Sequence, residues 1–170
     1  NALIPAMERV GIKFRENKIF VPQVLMSAKA MHASMNYLKP YFTSGQVKRK
    51  GTFVIGTVAG DLHDIGKNLV SMIIEGNGWE VIDLGVDVKT EKFLEAIQKY
   101  PGCIVGLSAL LTTTMPNMEA TVRKIKESHP NTIVLIGGAP VNDDFRAKIG
   151  ADFYSPDPQG AVDYINKLVA

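Results

Sequence analysis

The chain predicts an α/β fold on one five-stranded parallel sheet, and three observations carry that prediction. Across residues 52–170, short β-branched apolar runs alternate with stretches of helical spacing. The runs at 52–58 and 103–107 are apolar without alternation, as central strands covered on both faces must be. Asn77-Gly78, Pro101-Gly102 and Pro130 punctuate the joins.

Taken in order, residues 52–58 form the first strand. Ile65, Leu69, Met72 and Ile73 share one face of a helix over 65–75, stopped by Asn77-Gly78. Residues 80–84 are the second strand. Thr90 is placed to cap a helix running to Tyr100, with Phe93, Leu94 and Ile97 on one face. Residues 103–107 make the third strand, 117–128 a helix and 132–136 the fourth strand. A short helix at 143–149, a short strand at 151–154 and a helix from 159 to 169 complete the series. Strands joined by helical crossovers pair in parallel, and the expected order is 2-1-3-4-5, the flavodoxin-like (Rossmann-like) arrangement.

Residues 1–44 read differently. One helix spans 2–17. A second starts at Phe20-Val21-Pro22, with Pro22 in a favourable first-turn position, and runs to about Leu38, before Pro40. Its apolar residues go nearly all round, so it needs partners on more than one side, and further helices are expected upstream. Residues 45–51 read as a linker between this helical unit and an α/β domain at 52–170.

Composition narrows the function. The 170 residues are 46% hydrophobic, enough for one well-buried domain with a small accessory unit. No apolar run is long enough to span a membrane, and no signal peptide is visible. Cys103, the single cysteine, lies in an apolar run and reads as core; a cytoplasmic location is expected. Residues 1–51 hold nine Lys or Arg against two acidic residues, but the only basic run, Lys48-Arg49-Lys50, has no interleaved aromatics. No nucleic-acid partner is therefore expected.

In a sheet of this order ligands bind beyond the carboxyl ends of the strands, between strands one and three. Three motifs converge there. Asp61-Leu62-His63-Asp64-Ile65-Gly66 follows strand one, Ser108-Ala109-Leu110 ends strand three, and Gly137-Gly138 follows strand four. Taken singly, each has a plain use: a surface histidine, a helix-capping Asp61 or Asp64, a strand end, a tight turn. Hydroxyls of Thr112, Thr113 and Thr114 sit in the loop after Ser108, where one of them could cap a helix. Ser155, in a proline-rich loop after strand five, lies at the same edge.

Together, D-x-H-x-x-G, S-x-L and G-G at this spacing resemble the signature of cobalamin-binding domains, and the likeness extends over nearly the whole chain. The resemblance implies a corrinoid held with its own base displaced and His63 on cobalt. Asp61 would accept a hydrogen bond from the other ring nitrogen, fixing the ring and raising its donor strength. Thr114 would complete a chain with Asp61 and His63. Ser108, Leu110 and the paired glycines would hold the nucleotide tail, with Leu62, Asp64, Ile65, Gly66, Thr112 and Ser155 around it. The second helix resembles a cap over the reactive face, with Phe20, Met26 and Ala30 toward cobalt.

The resemblance is to corrinoid proteins of methyltransferase systems and to the cobalamin module of methionine synthase. It implies a methyl carrier working between a donor-specific methyltransferase and a second one acting on a folate or thiol, with a reductive activase. Two other classes share the sheet motifs: the small subunit of an adenosylcobalamin mutase, and a cobalamin-dependent regulator.

Overall fold

A computed structural model describes residues 2–43 and 49–169. Five parallel strands, β1 (Thr52–Thr57), β2 (Glu80–Asp83), β3 (Ile104–Ser108), β4 (Val134–Gly137) and β5 (Phe153–Tyr154), lie in the order β2-β1-β3-β4-β5. The helices are α1 (Leu3–Arg15), α2 (Val21–Thr43), α3 (Ile65–Gly76), α4 (Thr90–Lys99), α5 (Met115–Ser128), α6 (Asp143–Ile149) and α7 (Pro158–Lys167).

Alternation along the strands divides the core into two layers. Val54 and Val105 face one way, onto Phe93 and Ile97 of α4 and Met118, Val122 and Ile125 of α5. Phe53, Ile55 and Ile104 face the other way, onto Leu69, Ile73 and Ile74 of α3 and Val162 and Ile165 of α7. Helices α1 and α2 pack outside that second layer, α1 on α3 and α7, α2 on α3. Met7, Val24 and Met31 are buried there. Each such side chain contributes about 1.5–3 kcal/mol, so the helical unit is docked by apolar contact.

Four local expectations change. Thr90 is the first residue of α4 rather than its cap, and its hydroxyl pairs with that of Thr121 at 2.8 Å. Helix α2 continues through Pro40, since one missing N–H does not end a helix whose following residues keep helical geometry. Helix α5 begins two residues earlier than the periodicity predicts, because Pro116 falls in its first turn and a short 3₁₀ turn, Thr112–Thr114, leads into it. Asp64 holds the N-cap position of α3 without a capping bond from its side chain. The expected linker falls partly outside the described residues. Its last residues join the edge of the sheet, with Lys50 N–H on the Gly78 carbonyl and Lys50 Nζ on Asn166. Among the described residues no helix is long and apolar enough to cross a membrane.

Candidate functional site

The loop between β1 and α3 is held from several sides. The Thr57 hydroxyl donates to the His63 carbonyl at 2.9 Å. Asp87 accepts the Gly60 N–H at 2.7 Å, and its own N–H donates to the Asp61 carbonyl at 2.9 Å. Asn117 Nδ2 donates to the Ala59 carbonyl at 2.7 Å. None of these three side chains stood out in the sequence. Asp87, four residues past β2, has φ of 51°, a conformation Asp tolerates better than most residues.

Within the loop Asp61 is fully buried. Its Oδ2 accepts from Leu110 N–H at 2.7 Å, Leu111 N–H at 3.3 Å and the Thr114 hydroxyl at 2.9 Å. Its Oδ1 accepts from His63 N–H at 3.1 Å and faces His63 Nδ1 at 2.7 Å. Burial pushes the Asp61 carboxyl up, but bonds from Leu110, His63 and Thr114 outweigh it and hold the group well below the usual carboxylate range. Asp61 is therefore an anion, and it draws the His63 ring proton to Nδ1. Nε2 is left with a free lone pair on a side chain about half exposed, 49%. The expected chain of three forms with the carboxylate in the middle, His63–Asp61–Thr114. The Thr114 hydroxyl also has the Leu111 carbonyl at 2.9 Å, so one proton serves two acceptors.

Beside His63 a cavity of about 590 Å³ opens at the carboxyl edge, between α3 and α7. Leu62, His63, Asp64, Ile65, Gly66, Ser108, Leu110, Gly137, Gly138 and Ser155 all line it. Asp61 and Thr114 are buried and do not line it, and Thr112 is exposed and does not line it either. Phe20, Met26 and Ala30 are not brought to it either. Phe20 is 64% and Met26 74% exposed, and Ala30 borders a separate shallow groove between α1 and α2. The sheet, α3, α7 and the loops at the carboxyl edge supply the cavity wall, and α2 buries Val24, Ala28 and Met31 in the second core layer instead.

The glycines divide into two roles. A Cβ added at Gly66 would meet nothing within 4 Å, and one at Gly137 only the Ser155 carbonyl at 3.8 Å. Both keep space open. Gly138, with φ of +133°, is different: its Cβ would lie 1.7 Å from the Ala109 carbonyl oxygen. That glycine is needed where the Ala109 carbonyl comes close, and it lines the cavity as well.

The arrangement fits a metal that brings its own ring. Among the described residues no cluster of three or more His, Cys, Asp or Glu could hold an ion. A metal on His63 Nε2 would arrive with its remaining ligands attached. Leu62, Ile65 and Leu110 stand exposed beside His63 at the cavity, an apolar rim suited to a flat macrocycle. The cavity behind them has room for an appended chain.

Comparison with known proteins agrees. Residues 51–162 match the B12 binding domain, and residues 1–39 match a second family described as a B12 binding domain. The chain belongs to the B12-binding corrinoid proteins. Dimethylamine corrinoid protein 3 of Methanosarcina mazei is 41% identical over 167 residues, covering 96% of this chain and 100% of that protein. A cobalamin-binding protein from Desulfitobacterium hafniense DCB-2 superposes with a TM-score of 0.83 at 34% identity, covering 99% of this chain and 80% of that one. The methanol:cobalamin methyltransferase complex MtaBC from Methanosarcina barkeri gives a TM-score of 0.88 at 36% identity, covering 99% and 65%. As a member of this family the chain binds cobalamin or a related corrinoid, and its flavodoxin-like sheet is the one its solved relatives share.

Proposed function

We propose that this corrinoid protein is a methyl carrier that holds cobalamin with the cofactor's own base displaced and His63 on cobalt. One observation carries the reading: Asp61 locks Nδ1 of His63 and leaves Nε2 free at the mouth of a cavity large enough for a displaced tail. The bound corrinoid would supply a cobalt centre able to accept and release a methyl group.

The chain's own residues do the rest. His63 Nε2 is the donor atom, and Asp61 fixes the ring plane and makes it a better donor. Ser108, whose hydroxyl has no partner among the described residues, faces the tail, and Gly66 and Gly137 keep its path open.

In this reading residues 1–44 form a helical unit that caps the reactive face, 45–51 link it, and 52–170 hold the corrinoid, all in the cytoplasm. Exposed Phe20 and Met26 are free to turn toward the ring. Partners are a donor-specific methyltransferase, an acceptor methyltransferase acting on a folate or thiol, and a reductive activase. The relatives' names, dimethylamine corrinoid protein and methanol:cobalamin methyltransferase complex, suggest a small methylated amine or alcohol as donor. No site observation favours a mutase subunit or a regulator.

The test is paramagnetic resonance of the reconstituted Co(II) protein with and without nitrogen-labelled histidine. Label-dependent superhyperfine splitting that His63→Ala abolishes is the expected result. A pattern that ignores the label removes His63 from cobalt.

A further inference from the structure

The helical unit meets the cavity wall at one polar point. Arg15, the last residue of α1, reaches across to α7. Its Nε donates to Asp157 Oδ1 at 3.0 Å and its Nη2 to Asp163 Oδ2 at 3.0 Å. Asp157 lines the cavity. The same Oδ1 also accepts the Gly160 N–H at 2.9 Å, which makes Asp157 the N-cap of α7. One carboxylate oxygen thus ties together the end of α1, the start of α7 and the wall of the cavity. The Ser155 hydroxyl donates to the Asp157 carbonyl, so the loop moves with it.

Two features indicate that this junction sets position more than stability. Arg15 and Asp157 are 38% and 24% exposed, and pairs that open to water add little to folding. Next to them Gln159 is buried under α1 with its Oε1 unpartnered, while its Nε2 donates to Asp163. An added Cβ at Gly11 of α1 would lie 1.8 Å from that Oε1. A buried acceptor without a donor is costly, and the cost is relieved when α1 lifts and water reaches it.

We infer that Arg15 is a positioning residue for the corrinoid's nucleotide tail: through Asp157 it couples docking of α1 to filling of the cavity. The inference rests on the tail-slot reading above. Coupling of this kind is reciprocal, so a tail in the cavity must also tighten α1.

The test compares the full chain and its variants, reconstituted with hydroxocobalamin or with cobinamide, which lacks the nucleotide. Arg15→Met should weaken hydroxocobalamin at least about fivefold and cobinamide less than about twofold, the lower end of usual coupling. Arg15→Lys should recover part of the loss, since an ammonium can serve one carboxylate but not fork across two. Asp163→Asn leaves Asp157 and its cap intact, and should shift the ratio of the two affinities in the same direction by less. In the parent, hydrogen exchange at residues 12–15 should slow with hydroxocobalamin and not with cobinamide. A ratio unchanged in both Arg15→Met and Asp163→Asn, while the parent still distinguishes the ligands, overturns the inference alone. A parent that binds both ligands equally overturns the tail-slot reading and the inference together.

Discussion

The loop after β1 and the helix α2 both present exposed apolar side chains, yet they are held in opposite ways. Leu62 on this loop, and Ile65 where it enters α3, are fastened by Thr57, Asp61, Asp87 and Asn117, each through a directional hydrogen bond. Phe20 and Met26 stand on a unit docked mainly by apolar burial of Met7, Val24, Ala28 and Met31. Directional bonds leave one geometry, whereas apolar contact accepts sliding and reseating. A ligand atom placed to a few tenths of an ångström belongs on the first kind of element, and the cap proposed above would belong on the second.

The largest effect that would break this contrast lies at the glycines. Gly137→Val, whose Cβ would meet only the Ser155 carbonyl at 3.8 Å, should weaken cobalamin about a hundredfold, equal to about 3 kcal/mol, with less harm to cobinamide. Gly138→Val should instead damage both ligands equally and lower the melting temperature, because its side chain strikes the Ala109 carbonyl. Isotherms and melting curves on the two variants separate these outcomes. Equal behaviour would mean that the cavity is not where the tail goes.

Next comes the carboxylate. Asp61→Asn turns an amide N–H or loses an acceptor toward donors at 2.7 Å, and should cost about 1–3 kcal/mol of stability. Cobalamin affinity should fall about 10–100-fold as the ring loses its orientation. The pH dependence carries a sign. Asp61 in the folded protein sits below its ordinary range, so its contribution is complete above that range and is lost as pH falls through it. Denaturation of the apo parent should therefore steepen below about pH 4, and that of Asp61→Asn should be flatter there. Parallel acid curves would show that Asp61 does not anchor the loop.

A smaller effect tests the network's third member. Thr114→Val keeps the shape and removes one of the donors to Asp61, at a cost of about 1 kcal/mol. Denaturant midpoints measure it. A neutral result would mean that the Thr114 proton goes to Leu111.

The smallest effect belongs to the helix. Phe20→Ala should change stability by less than about 0.5 kcal/mol, as exposed positions do. It should leave cobalamin affinity nearly intact but speed photolysis of bound methylcobalamin, since a covered radical pair recombines. Equal photolysis rates would remove α2 from the cap.

Much of the site was legible because its chemistry is local. Asp61 and His63 are two residues apart at a strand end, so the pair itself is within reach of one loop. Strand order followed from apolar runs and crossovers, and it carried Ser108 and Gly137 to the same edge. The supporting groups were not legible. Thr57, Asp87 and Asn117 are common polar residues whose partners lie up to 58 positions away in sequence. Gly138 has a second constraint that only the fold shows, the close approach of the Ala109 carbonyl. The sequence also could not tell that α1 would end on α7, where Arg15 meets Asp157 and Asp163.

What the sequence alone determined, then, is the α/β class, the 2-1-3-4-5 order, the Asp61–His63 pair and the family. These depend on period, on short spacing and on residue chemistry. Tertiary structure alone decided that Asp61 sits between His63 and Thr114, that a cavity opens between α3 and α7, and that the helical unit packs outside that layer with Phe20 and Met26 in solvent. Those are outcomes of contacts between residues far apart in the chain. Their energies depend on which surfaces meet, which no local pattern encodes.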